Sequence, residues 1–162
     1  MKIALGTVQF STHYGIANTN GQIKKPEIKN ILNFAKNSGV DTIDTAISYQ
    51  SSEQHLGEIG VDSFKVITKL PEIPDNCKNL RIWIMGHVQK SLNFLKVKTL
   101  SGLLLHRPLQ LLDKDKKDLR KILLDLKNDG IIKKIGYSIY KPDELEKLWS
   151  SFKPDLVQAP YN

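Results

Sequence analysis

The chain has 162 residues, 40% hydrophobic and 25% charged, which is enough for one domain with a sizeable core. Its formal charge of +7 comes almost wholly from lysines interleaved with acids, as in Asp113-Lys114-Asp115-Lys116-Lys117-Asp118; that pattern predicts a solvated helix face and argues against a nucleic-acid partner. No apolar run nears the roughly 20 residues that span a bilayer, no signal peptide is read at the N-terminus, and Cys77 is the single cysteine, so a cytoplasmic protein without an internal disulfide or membrane contact is expected.

Short apolar runs alternate with segments of helical period. The first run is Ile3 to Val8. Ile28, Ile31, Leu32 and Ala35 then predict a helix over roughly 26–38, with Pro26 suited to its first turn and Gly39 to its end. The second run is Val40 to Ala46, and Ser51 with Gln54 predicts a capping box at the start of a short helix. Run three is Lys65 to Lys69, closed by Pro71 and Pro74. A helix follows from about Leu80 to Leu95, with Ile82, Met85, Leu92 and Leu95 on one face. Run four is Leu100 to Leu105. The next helix spans about 115–128, buries Leu119, Ile122, Leu123 and Leu126, and stops at Gly130. Run five is Ile135 to Ile139, Pro142 opens a fifth helix, and run six is Leu156 to Ala159. Such alternation implies a parallel sheet with right-handed crossovers. The first turn, Gly6-Thr7-Val8-Gln9-Phe10, lacks the G-x-G-x-x-G of a dinucleotide-binding sheet, which favours part of a barrel.

Four residues sit where apolar runs give way to loop: Asp44 and Tyr49 after run two, Lys69 after run three, and His106 after run four. Singly, each has a plainer reading: a turn cap, a packing phenol, a surface lysine, a loop histidine. Together they suit proton delivery to a carbonyl oxygen. An ammonium next to a phenol lowers its pKa, a carboxylate keeps that ammonium charged, and an imidazole donates to the oxygen. His13, His55, His87 and His106 lack metal-ligand spacing, and no metal is expected.

Asp44-Thr45-Ala46-Ile47-Ser48-Tyr49, with Glu53, Leu56 and Gly57, resembles the D-x-A-x-x-Y-x-x-x-E-x-x-L-G signature of the aldo-keto reductases. Thr68-Lys69, Leu105-His106-Arg107-Pro108, the stretch Gly130 to Ser138 and Val157-Gln158-Ala159-Pro160-Tyr161-Asn162 are similar to further blocks of that family. Leu5 to Phe10 and Tyr14 to Asn18 resemble bacterial members. The resemblance implies an NAD(P)H-dependent oxidoreductase that reduces an aldehyde or ketone, a small-molecule carbonyl substrate. Tyr49 would be the general acid, Lys69 would lower its pKa, Asp44 would hold Lys69, and His106 would orient the carbonyl. Ser138 and Gln158 would bind the nicotinamide carboxamide, with Gly6, Thr7 and Asp44 also on the cofactor side. The chain departs from the family at Gln50, Ile139 and Val8, where glycine, asparagine and tryptophan are common.

A whole eight-stranded barrel takes about 250 residues. The expectation is therefore one domain over residues 1–162: a partial (β/α)8 TIM barrel of about six parallel strands and five helices, lacking the C-terminal βα units. Those units hold much of the cofactor in the family, so NADP(H) is implied with weakened binding. Two other readings stay open: an inactive partial barrel that self-associates through exposed sheet edges as a homo-oligomer, and a Schiff-base aldolase using Lys69.

Overall fold

Parallel strands and helices alternate from end to end of the computed structural model, which describes residues 3–16, 18, 19 and 21–161. Met1, Lys2, Ala17, Asn20 and Asn162, which include parts of the first and last sequence blocks, lie outside the described residues. The order is β1 (Ala4–Gly6), α1 (Lys25–Asn37), β2 (Thr42–Asp44), α2 (Ser52–Ile59), β3 (Lys65–Leu70), α3 (Leu80–Leu95), β4 (Gly102–Leu105), α4 (Leu119–Asn128), β5 (Ile135–Ser138), α5 (Pro142–Trp149) and β6 (Leu156–Gln158). The strands pair in sequence order, β1-β2-β3-β4-β5-β6, all parallel. The sheet curls enough for a β6 side chain to reach β2: Gln158 Nε2 donates to Asp44 Oδ2 at 3.1 Å. This is the expected partial barrel, with β1 and β6 as its edges.

Register assigns the faces, because side chains alternate across a strand. Gly6 pairs with Asp44, Asp44 with Ile67, Lys69 with Leu104, Leu104 with Gly136, and Ser138 with Gln158. Gly6, Asp44, Lys69, Ser138 and Gln158 therefore share one face, the concave one. The opposite face carries Ile43, Val66, Leu70, Leu103, Leu105, Ile135 and Tyr137, all buried against the helices. Each large apolar side chain so buried contributes about 1.5–3 kcal/mol relative to exposure, which makes the convex layer the main source of stability.

Helices α2 and α3 approach backbone to backbone at Gly57. A Cβ there would collide with the carbonyl oxygen of Phe94 and with the backbone of Leu95. Gly57→Ala must push the helices apart, and the expected loss is about 1–3 kcal/mol, as for overpacked cores. A urea titration reads it as a lowered midpoint at unchanged slope.

Several local expectations are corrected. The buried face of α3 is Ile84, Val88, Ser91, Leu92 and Leu95, while Ile82 and Met85 point outward. The first turns of α3 are apolar on both sides, so the spacing fits either face; the Gly57 contact and a Ser91 hydrogen bond to α2 set the rotation. The helix expected from 115 starts only at Leu119. Before it, Lys114–Lys116 form a 3-10 turn in which Lys116 is buried beside Asp113, at 3.1 Å, and Asp75, at 3.4 Å. Charge pairing across a loop wins there over a solvated helix face. Ser51 makes no side-chain cap, and Gln54 donates to Glu58 at 2.8 Å. Run two shrinks to the three residues of β2; backbone bonds to β3 still continue from Thr45 N to Ile67 O and from Ile47 N to Lys69 O, where the chain turns.

Candidate active site

Asp44 ends β2 on the concave face, and Lys69 lies one strand over near the end of β3. Their side chains therefore meet. Lys69 Nζ donates to Asp44 Oδ1 at 2.8 Å and Oδ2 at 2.9 Å, and to Thr45 O at 2.8 Å, which uses all three ammonium donors. The lysine side chain is only 3% exposed. Burial pushes the Lys69 pKa down, and the Asp44 carboxylate opposes that shift.

Tyr49 lies in the loop after β2. Ser11 Oγ donates to its carbonyl oxygen at 2.6 Å, and Gln50 follows with φ of 41°, a left-handed conformation that suits the glycine common in the family at that position. Lys69 Nζ sits 5.3 Å from the centroid of the Tyr49 ring. His106, just past β4, stands edge-on to that ring with centroids 6.2 Å apart. Ser48 Oγ is 3.4 Å from His106 Nδ1.

The Tyr49 phenol stands above its ordinary value although the Lys69 ammonium lies over its ring. Burial, with Asp44, Tyr14 and Tyr140 adding to it, pushes the phenol up to about 12. Burial likewise lowers His106, helped by the positive charges of Lys69 and Arg107. At neutral pH the site thus holds a protonated phenol and a neutral imidazole.

Tyr49, Lys69, His106, Ser138, Ile139, Tyr140, Gln158, Ala159 and Pro160 line one cleft of about 240 Å³. Gln158 donates to Asp44, while its Oε1 is buried with no hydrogen-bond partner among the described residues. A buried acceptor without a donor points to a group that the cleft receives. Ser138 is 9% exposed beside it.

Three of the sequence-chosen residues do not line this cleft: Asp44, which meets it only through Lys69 and Gln158, and Gly6 and Thr7. Gly6 shares the concave face but sits on the edge strand β1. Thr7 is buried, and its backbone N–H and its hydroxyl both donate to Asp44 O, at 3.0 and 3.1 Å. Ser52 Oγ donates to Thr7 O at 3.1 Å. Thr7 therefore fixes the end of β2 from behind. Sequence reasoning passed over Ser48, Tyr140 and the function of Glu53. Tyr140 follows a strand end by two residues, the same signal that marked His106.

Glu53 is 3% exposed on α2. Its Oε1 accepts from Thr68 Oγ1 of β3 and Ser91 Oγ of α3, both at 2.6 Å. Burial raises its pKa, and the Ser91 and Thr68 bonds and Lys90 work against that. One carboxyl thus ties the helix after Tyr49 to the strand residue before Lys69. Among the described residues, no group of three or more His, Cys, Asp or Glu is placed to hold a metal ion, and no helix is long and apolar enough to cross a membrane.

Solved structures share this architecture. An aldo-keto reductase from Pseudomonas aeruginosa superposes with a TM-score of 0.79 at 23% identity, covering 98% of this chain and 62% of its own. One from Bacillus halodurans, in its holo form, gives 0.76 at 18% identity over 99% of this chain and 53% of its own. One from Klebsiella pneumoniae, in complex with NADPH, gives 0.66 at 21% identity over 91% and 48%. This chain thus spans about half to three fifths of the length of these structures. No curated protein matches it. The aldo/keto reductase family profile matches residues 2–162, and the chain belongs to that family.

Proposed function

We propose that this domain reduces a small aldehyde or ketone to an alcohol, with Tyr49 as the proton donor and a nicotinamide dinucleotide, NADP(H), as cofactor. The observation that carries the reading is the buried Asp44–Lys69 pair beneath a protonated Tyr49, with His106 across the same cleft. The Klebsiella relative's complex with NADPH supports the cofactor class.

The residues present fit the nicotinamide. Gln158 Oε1 is a buried acceptor waiting for a donor, and a carboxamide N–H is one; the Ser138 hydroxyl lines the same wall. A bound reduced nicotinamide supplies hydride to the carbonyl carbon. Everything else falls to the protein. His106, neutral because burial disfavours its charge, donates an N–H to the carbonyl oxygen; the tautomer with that proton on Nε2 leaves Nδ1 to accept from Ser48 Oγ, 3.4 Å away. Tyr49 holds its proton at neutral pH and gives it to the same oxygen as negative charge develops there. The resulting phenolate faces the Lys69 ammonium. Asp44 and Thr45 O keep that ammonium charged despite its burial.

The test is turnover of a short aldehyde with saturating NADPH, followed by loss of the reduced-nicotinamide absorbance. Tyr49→Phe is expected to lower kcat by at least about 100-fold, the usual worth of a positioned proton donor, with nucleotide affinity unchanged. A Tyr49→Phe protein that turns over at the parent rate removes Tyr49 from the role.

A further inference from the structure

A second cleft, of about 330 Å³, adjoins the first at the carboxyl ends of β2 to β5. Ser48, Pro71, Glu72, His106, Arg107 and Tyr140 line it, and His106 and Tyr140 border both clefts. A carbonyl group placed at Tyr49 and His106 therefore has this second cleft open to its substituent. The walls carry two charges and two hydroxyls, which an apolar substituent would desolvate without return.

Arg107 decides what substituent fits. Its nearest carboxylate is Glu72, with Nε 3.8 Å from Oε2, too far for a hydrogen bond. Both side chains are mostly exposed, at 62% and 67%. Such a pair adds little to folding, so the fold gives no reason for an arginine here. A guanidinium presents a rigid fork of donors that matches a carboxylate or phosphate in two parallel bonds. Glu72 offsets the charge of Arg107, and its exposure leaves it room to swing aside.

We propose that this second cleft is an anion subsite, and that the substrate is a small aldehyde or ketone bearing a carboxylate or phosphate a few bonds from its carbonyl. Arg107 grips the anion, with the Tyr140 hydroxyl beside it. The inference rests on the carbonyl reading of the Tyr49–His106 cleft.

Three probes with one carbon skeleton test it by amide and side-chain NMR titration of the chain: 4-oxopentanoate, neutral 5-hydroxypentan-2-one, and the phosphate ester of that keto alcohol. Charge-assisted bonds predict that the better anion binds at least about tenfold more tightly than the neutral ketone. The carboxylate and phosphate arms tell which anion the cleft prefers. Arg107→Gln should shrink the advantage to about twofold or less, and Glu72→Gln should enlarge it by removing a like charge. Equal binding of all three probes, with Tyr49 and His106 resonances still shifting, overturns the subsite and leaves the carbonyl reading standing. An anion preference that survives Arg107→Gln also overturns it. A chain whose Tyr49 and His106 resonances answer to none of the probes overturns both.

Discussion

Asp44→Ala is expected to cost about 3–5 kcal/mol of folding stability, the usual loss when one partner of a buried ion pair is removed. Lys69 stays behind with a side chain 3% exposed, and of its three acceptors only Thr45 O remains. Gln158 also loses the acceptor that holds its amide. Domains of this size are stable by about 5–15 kcal/mol, so the variant should show a much lower urea midpoint. Asp44→Ala combined with Lys69→Met should recover part of the loss, because the stranded charge goes with its partner. The pH dependence separates this account from simple cavity formation. The folded-state pKa of Lys69 is already lowered by burial, and Asp44 is what opposes the shift. Without Asp44 it falls further. In the window between that lowered value and 10.5, the unfolded chain binds more protons, so stability rises with pH. Asp44→Ala should show a steeper rise on the alkaline side than the parent protein. Equal slopes, or a loss below about 1 kcal/mol, would mean that water reaches the ammonium and the pair is not a buried one.

The strand order was legible because each strand lies in a short apolar run and helical periods separate the runs. Asp44, Lys69 and His106 stood out because three successive runs end in a titratable residue. The rotation of α3 was hidden, since its first turns are apolar on both sides and only contacts with α2 choose between them. The turn at Lys114–Lys116 was hidden because alternating Asp and Lys suit a helix face as well as they suit the Lys116–Asp113 pair, and the second partner, Asp75, lies about 40 residues earlier in the chain. The Tyr49 phenol stands above its ordinary value despite the neighbouring ammonium for an instructive reason. Adjacency of an ammonium is readable from spacing, but how deeply a phenol is buried, and which face the ammonium meets, are tertiary facts. Lys69 lies over the ring, and burial wins. Glu53 could be picked out by its place in the signature, yet nothing local shows that its partners are Thr68 and Ser91.

Glu53→Ala should be nearly as damaging as the loss of Asp44. It strips two buried hydroxyls, on Thr68 and Ser91, of their shared acceptor, at about 1–3 kcal/mol each. Glu53→Gln keeps the volume and an acceptor oxygen, so its cost should be smaller and its pH response different. Burial raises the Glu53 pKa above 4.5, against the Ser91 and Thr68 bonds and the charge of Lys90. Between 4.5 and the raised value, the folded protein keeps a proton that the unfolded chain has released, so this group's contribution to stability falls as pH rises. Glutamine has no such proton. The stability difference between parent and Glu53→Gln should therefore shrink from the parent's side as pH rises through that window, as urea titrations at a series of pH values would show. His106 and Lys69 are common to both proteins and cancel in the difference. Parallel curves would place a charged carboxylate at Glu53 throughout, with Lys90 compensating. A sloping difference would show that the buried acid tying α2 to β3 changes its charge above 4.5 in the folded protein.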